Sequence, residues 1–411
     1  MTRLGAGIKG PHAVAGGLRV EWLDGVRALA AVFVVLHHAW LMTYGGYPGN
    51  NGPWGTDWLI YGHLAVSVFI VVSGFSLMLS PARHGLALRD GGRGFLRRRF
   101  WRIVPPYWAA LALSLVLVGL GLIGTPSGNP LGSRDVFVHL FLVQDAVGNT
   151  SPNGVFWSIA VEWHIYFLFP LLLIAYRRFG IPSVAIVVGA LVVLQHVGGQ
   201  YLPLLGALNR FTPVYLVLFV LGTAASVAAN RQFGGRSGLL IGTILAALFI
   251  AIAAIAGSKI IIANYFWVDL GVGMAAAALF VALSGGRLKW LARILARKIP
   301  VFVGQFAFSL YLIHALILEL LRSWVIQPLG LTGASAFWLL LGLGLPCAIC
   351  AAYLFFLVCE RPFLSIRSFS ELRAAMGTAV SRTWAIARSR SNQAASPVGV
   401  SSLDAIKSSE S

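Results

Sequence analysis

Long apolar runs, each bounded by charged or turn-forming residues, recur at approximately 23–43, 60–80, 106–124, 156–176, 181–198, 212–229, 238–257, 264–284, 301–322 and 335–358. At about 1.5 Å per residue, each is of the length a helix needs to cross roughly 30 Å of hydrocarbon. Inside a bilayer every backbone N–H and C=O must pair within the element, so such runs are helices. Barrel strands would alternate apolar and polar positions over shorter segments, and these do not. The pattern predicts an all-α polytopic membrane protein, a bundle of about ten transmembrane helices.

Composition agrees: 58% of the 411 residues are hydrophobic and 11% are charged, too little polar surface to cover a water-soluble domain of this size. The net charge of +18 would suit a nucleic-acid binder if it formed one patch, but the cations fall in short clusters between apolar segments. Their placement is that of the positive-inside rule. One set of connections holds Arg83 to Arg102, Arg177-Arg178, Arg231 and Arg236, Arg287 to Lys298, and the tail from Arg361. The opposite set holds only scattered cations such as Arg134, Arg210, Lys259 and Arg322. Both termini are therefore expected in the cytoplasm of a bacterium, with residues 1–20 as an N-terminal segment, 21–365 embedded in the inner membrane, and 366–411 as a Ser-rich, largely disordered tail.

The first apolar run has no small-residue cleavage site after it and is expected to remain as a span. The long segment 124–155, with Gly128-Asn129-Pro130 and Asn149 to Asn153, is expected to form an external or partly re-entrant cover. No internal repeat is visible, which weighs against transporters built from inverted halves. Cys347, Cys350 and Cys359 all lie in one apolar stretch and read as packing residues, and no metal site is expected.

Ionisable groups inside apolar helices are the candidate chemistry, because each costs about 2.5–3.5 kcal/mol to insert. Arg27 and His38 are eleven residues apart, which returns to within about 20° of one helix face after a rise of roughly 16 Å. His38 serves either chemistry or a hydrogen bond to a neighbouring helix. Arg97 and Arg98 read as interfacial anchors, whereas Arg99 and Arg102, one turn apart at the membrane mouth, suit the phosphates of a nucleotide-bearing donor. Ser158, Glu162 and Tyr166 at i, i+4 and i+8 make a polar stripe. Glu162 is open to three readings: general base, orienting partner, or half of an ion pair with Arg27. Tyr311 and His314 occupy adjacent turns and read first as packing hydrogen bonds, as does the small Ser73-Gly74 pair. Glu360-Arg361-Pro362 reads as a helix stop.

Taken in order, these signatures resemble the integral-membrane acyltransferase family 3, whose members O-acylate bacterial surface polysaccharides, lipopolysaccharide, antibiotics and related sugars. The resemblance runs from about residue 20 to about 365. It is carried by Leu23-Asp24-Gly25-Val26-Arg27 with His38, Ser73-Gly74-Phe75, Arg99 and Arg102 with Ile103 and Pro105, Trp157-Ser158 with Glu162, Tyr311 with His314, and Glu360-Arg361-Pro362. It departs where Ala65 replaces a glycine common in relatives, and a single-domain member with no soluble esterase-like domain after the last span is expected.

The resemblance implies acyl-CoA, acetyl-CoA by default, as co-substrate from the cytoplasm, no permanently bound cofactor, and a sugar or glycan acceptor reached on or across the far side. It implies that Arg27 and His38 are essential, with Arg99 and Arg102 near the donor. His38 is then expected as general base or transient acyl carrier, oriented or charge-balanced by Glu162. Arg27 would line the route from donor to His38, and Ser158, Tyr166, Tyr311 and His314 would be acceptor-side or oxyanion-supporting groups. A proton-coupled saccharide transporter is the rival reading, since buried Glu, His and Arg also make proton relays. A non-catalytic receptor or scaffold ranks last.

Overall fold

A computed structural model describes residues 20–365 apart from 149, 233 and 234, together with residues 13, 14, 17, 18 and 371. Nearly all of the expected N-terminal segment and C-terminal tail, and Asn149 of the covering loop, lie outside the described residues. The long helices are α1 (Glu21–Thr43), α2 (Leu64–Met78), α3 (Gly91–Gly119), α4 (Phe156–Phe179), α5 (Ile181–Gly198), α6 (Val214–Asn230), α7 (Gly235–Ala263), α8 (Tyr265–Ser284), α9 (Ala307–Leu321) and α10 (Gly333–Leu364). Among the described residues nine helices are long and apolar enough to span, and α6 makes a tenth with the short helices that precede it at a 54° bend. The apolar pattern thus located every span.

The third span begins earlier than expected. Residues 91–105 are helical rather than a basic loop, and Pro105 and Pro106 lie inside α3 instead of opening it. Proline removes a helix donor and normally interrupts the ladder, but neighbouring helices in a bundle tolerate it. The consequence is functional: Arg97 to Arg102 ride on a rigid helix, with fixed directions. The ninth run divides likewise into a short helix, Lys298–Gln305, and α9. Two stretches of α10, Leu340–Gly344 and Phe356–Glu360, are wound as π-helix, a local widening that often accompanies functional positions.

Helices α1, α2, α6 and α9 form the interior, and α5, α7 and α10 the rim. Only 6% of the apolar stretch of α7 is buried, against 61% for α2, so α7 presents its side chains to lipid. The interior helices approach closely because glycines sit at their crossings. A Cβ on Gly74 would fall 2.2 Å from the Phe219 carbonyl oxygen of α6, and one on Gly222 would fall 2.2 Å from that of Val71 in α2. At the start of α1, Gly25 meets the Leu295 carbonyl and Gly304 meets that of Asp24, each at 2.1 Å from the added carbon. This is the small-residue packing of membrane helices, where apolar burial alone supplies little drive. Ala65 is buried in α2, so the methyl group at this position is accommodated.

A buried polar cluster ties α2, α6 and α8. Asp269 accepts from Ser67 Oγ at 2.6 Å and faces His63 Nε2 at 3.3 Å, while the Tyr215 hydroxyl lies 2.9 Å from the same nitrogen. The His63 ring is stacked between Trp157 and Tyr265. Sequence reading passed over Asp269, because a single acid near the start of a span gives no partner at helical spacing.

The covering segment between α3 and α4 contains two short helices, Ser133–Leu140 and Gln144–Val147. Tyr107 donates to the His139 carbonyl at 3.0 Å, and Asn153 Nδ2 donates to that of Leu312 at 2.9 Å, so the cover is keyed to α3 and α9. The Gly132 N–H holds the Asp135 carboxyl below the usual range, helped by that of Thr150, which fixes the first turn of the cover.

Gly222→Leu is expected to destabilise the bundle by about 2 kcal/mol or more through overpacking at the α2–α6 crossing. Gly189→Leu, where a Cβ meets nothing within 4 Å, is expected to be neutral. Thermal unfolding of the two purified variants, followed by size-exclusion profile, checks the contrast.

Candidate functional site

A cavity of about 360 Å³ opens among α1, α2, α3, α4, α9 and α10. It lies in the size range of small-molecule sites. Three arginines from two helices line it: Arg27 of α1 and Arg99 and Arg102 of α3. Ser158, Glu162 and Tyr166 of α4, Tyr311 of α9 and Glu360 of α10 complete its polar wall. Seven of the sequence-predicted residues therefore meet in one space, drawn from positions almost 300 residues apart.

Arg27 and Arg99 are held differently. Arg27 donates to Asp24 Oδ1 at 2.8 Å and to Ser76 Oγ at 2.6 Å, so its ion pair is with Asp24, one turn away, and not with Glu162. Arg99 lies over the faces of Phe95 and Tyr166, with its guanidinium carbon 5.7 and 5.8 Å from the ring centroids. Its Nε is buried and has no hydrogen-bond partner among the described residues. A buried guanidinium N–H in that state is costly, and an anionic ligand would satisfy it.

Glu162 accepts a short hydrogen bond from the Tyr166 hydroxyl, and that hydroxyl lies 2.9 Å from Ser73 Oγ. Ser158 Oγ and the Tyr311 hydroxyl are 2.7 Å apart, joining α4 to α9 across the inner end of the cavity. Glu360 accepts from Ser309 at 2.5 Å and is 2% exposed. It was read from sequence as part of a helix stop. The structure instead turns its carboxylate into the arginine-lined cavity, and the only sequence signal was an acid at the end of an apolar run. Ser73, which also lines the cavity, was likewise read as packing, and Ser76 was passed over.

His38 and His314 occupy a separate position. They are not among the residues that line this cavity, but meet each other with His314 Nε2 3.3 Å from His38 Nδ1. His314 lies one turn beyond Tyr311 on α9, so the pair continues from the Ser158–Tyr311 end. Among the described residues no hydrogen bond joins Glu162 to His38. The orienting groups of His38 are the Val34 carbonyl, 2.9 Å from Nδ1, and His314. A carbonyl only accepts, so Nδ1 of His38 carries its proton. The same holds for His314, whose Nδ1 lies 3.0 and 2.9 Å from the Leu310 and Tyr311 carbonyls. With both rings neutral, His314 Nε2 accepts from His38, and His38 Nε2 keeps a bare lone pair.

The adjacent His37 is buried, donates Nδ1–H to the Leu59 carbonyl at 2.7 Å, and packs so tightly on Gly62 that a Cβ there would fall 2.2 Å from its own. Of the two consecutive histidines, the half-buried His38 is the more accessible.

The profile of the acyltransferase domain matches residues 20–357, most of the chain. The chain belongs to the integral-membrane acyltransferase family 3. This acyltransferase is 25% identical over 349 residues to nodulation protein 10 of Rhizobium leguminosarum bv. viciae, covering 76% of the chain and 89% of that protein. It is 26% identical to the acyltransferase MdmB of Streptomyces mycarofaciens, over 63% of the chain and 68% of the relative. It is also 28% identical to the O-acetyltransferase OatA of Staphylococcus aureus, over 37% of the chain and only 24% of that longer protein. No solved structure matches it.

The tautomer assignment has a chemical consequence. Diethyl pyrocarbonate is expected to modify the acyltransferase at His38 well before His37 or His314. Peptide mass spectrometry of the treated protein checks the order, and preferential modification of His37 would contradict it.

Proposed function

We propose that the protein transfers an acyl group, acetyl by default, from acyl-CoA to a hydroxyl of a sugar in a surface polysaccharide, lipopolysaccharide or related glycan. The observation that carries this reading is the buried cationic cavity with its unpartnered Arg99 Nε, leading by way of Ser158–Tyr311 to a histidine pair with a bare His38 Nε2. The relatives' names, an acyltransferase and an O-acetyltransferase, agree with it. The transporter alternative loses its support once the chain falls in this family.

In this mechanism Arg99 and Arg102 attract phosphates of CoA, and the arginine-rich end of the bundle faces the cytoplasm. Arg27 is fixed by Asp24 and Ser76, with a guanidinium edge toward the cavity. The pantetheine arm extends past Glu162 and Tyr166 to bring the thioester beside Tyr311. The sugar oxygen then attacks the thioester carbonyl carbon as His38 Nε2 takes the hydroxyl proton. The C–O bond forms, the C–S bond breaks, and the CoA thiolate leaves, taking back that proton. With Ser158 donating to the Tyr311 oxygen, the free Tyr311 O–H supplies a hydrogen bond to the carbonyl oxygen as it gains charge. The imidazolium formed at His38 keeps its Nδ1–H on Val34 and His314. The bilayer interior excludes the water that would hydrolyse the donor.

The test is mass spectrometry of envelope and extracellular glycans from cells making the wild type, His38→Ala at matched abundance, or no protein. An acyl mass increment confined to the wild type is expected, and an equal increment with His38→Ala would remove that residue from the mechanism. With purified protein, Arg102→Ala is expected to raise the KM for acyl-CoA by about tenfold, the equivalent of one charge-assisted hydrogen bond, while kcat changes less. A lowered kcat at unchanged donor KM would place Arg102 elsewhere.

A further inference from the structure

The end of the bundle opposite the arginines holds a second cavity, of about 570 Å³. One wall is the 3-10 turn Asp57–Tyr61 between α1 and α2, and the other is the outer part of α7 where Gly257 breaks the helix at φ 74°. The turn divides its residues by side. Leu59 and Ile60 are 4% and 0% exposed and plug the bundle, while Asp57, Trp58 and Tyr61 line the cavity. Across it stands Lys259, and Ser258 donates to the Pro48 carbonyl at 2.9 Å, which fastens the broken end of α7 to the loop after α1.

Three properties set this space apart from lipid-facing surface. Trp58 is 54% exposed yet fixed: its ring stacks on Phe33 at 5.4 Å and 17°, and its Nε1 donates to the Gly55 carbonyl at 3.1 Å. A held indole with an open face is a platform for another flat or ring-shaped group. Asp57 and Lys259 line the same cavity, and among the described residues neither takes part in an ion pair, so an acceptor and a donor both remain for a ligand. The turn also reaches the chemistry, because the Leu59 carbonyl holds His37, the neighbour of His38.

An anionic nucleotide does not fit this donor set, since one lysine faces one carboxylate and the three cavity arginines lie at the other end. A neutral polyhydroxylated ring does. Its C–H face covers an indole, and its hydroxyls donate to a carboxylate and accept from an ammonium. We propose that this vestibule is the acceptor subsite, binding sugar residues of the glycan with Trp58 as stacking platform and Asp57 and Lys259 reading hydroxyl groups. The assignment rests on the acyl-transfer reading above. It makes the substrates converge from opposite ends, with donor and acceptor competing for no common wall.

The experiment uses full-length protein in lipid nanodiscs, radiolabelled acetyl-CoA, and the envelope glycan fraction of cells lacking the protein as acceptor. Wild type, Trp58→Ala and Asp57→Asn are compared at matched folded amount. Each variant is expected to raise the apparent KM for glycan by about tenfold at unchanged KM for acetyl-CoA, and Trp58→Phe is expected to recover much of the loss. Unchanged glycan KM in both alanine and asparagine variants overturns the assignment. So does a parallel change in both KM values, which marks damage to packing. Unchanged kinetics with altered stability between nanodiscs of different headgroup composition would identify Trp58 as an interfacial anchor and overturn it too. Failure of the wild type to label any glycan refutes the underlying reaction, and the acceptor assignment with it.

Discussion

Inside a bilayer a polar side chain must find a partner in the protein or carry a desolvation cost of several kcal/mol. That constraint organises this molecule. Asp24 and Ser76 satisfy Arg27, Tyr166 satisfies Glu162, Ser309 satisfies Glu360, and Ser67 with His63 satisfies Asp269. Where partners come from different helices, as in Arg27–Ser76, Ser309–Glu360 and Ser67–Asp269, the pairing is also a register mark. The polar groups fix how the apolar helices stand against one another, and glycines at the crossings let them stand close. One atom that escapes the rule, the unpartnered Arg99 Nε, belongs to a side chain that lines space a substrate would fill.

The arrangement separates binding from chemistry along the bundle axis. Cations concentrate at one end, the aromatic vestibule with a single acid and a single lysine at the other, and the histidine pair lies between the arginine-lined cavity and the turn that carries Leu59. Helix α1 runs alongside both, with Arg27 in the arginine-lined cavity and His38 about 16 Å further on the same face. Helix α9 repeats this with Tyr311 and His314. Two helices side by side thus each present one residue to the cavity and one to the histidine pair.

Much of this was legible in the sequence, and what was missed has physical reasons. Spans were legible because lipid imposes a long apolar run whatever the fold. The Arg27–His38 face followed from helical period alone, and Arg99 with Arg102 from spacing. Partnerships were not legible. Glu162 was given to Arg27 or His38 because a buried acid invites a buried base, yet Tyr166, one turn away, takes it. The His38–His314 contact joins residues 276 apart, and no local rule reports it. Helix α3 was started too late because Pro105-Pro106 reads as a beginning in water, where its missing donors would be solvated. Glu360 was read through its neighbours Arg361 and Pro362, which do face outward, while its own side chain turns in on the π-wound segment.

The central claim, that the arginine-lined cavity receives the acyl donor and delivers its thioester toward the histidine pair, is tested most directly by an electron cryomicroscopy map. The protein would be imaged in nanodiscs with a non-hydrolysable thioether analogue of acetyl-CoA. Density for phosphate groups at Arg99 and Arg102, with the arm passing Glu162 and ending beside Tyr311, is the predicted result. Analogue density elsewhere on the protein, with the cavity unchanged, would contradict the account.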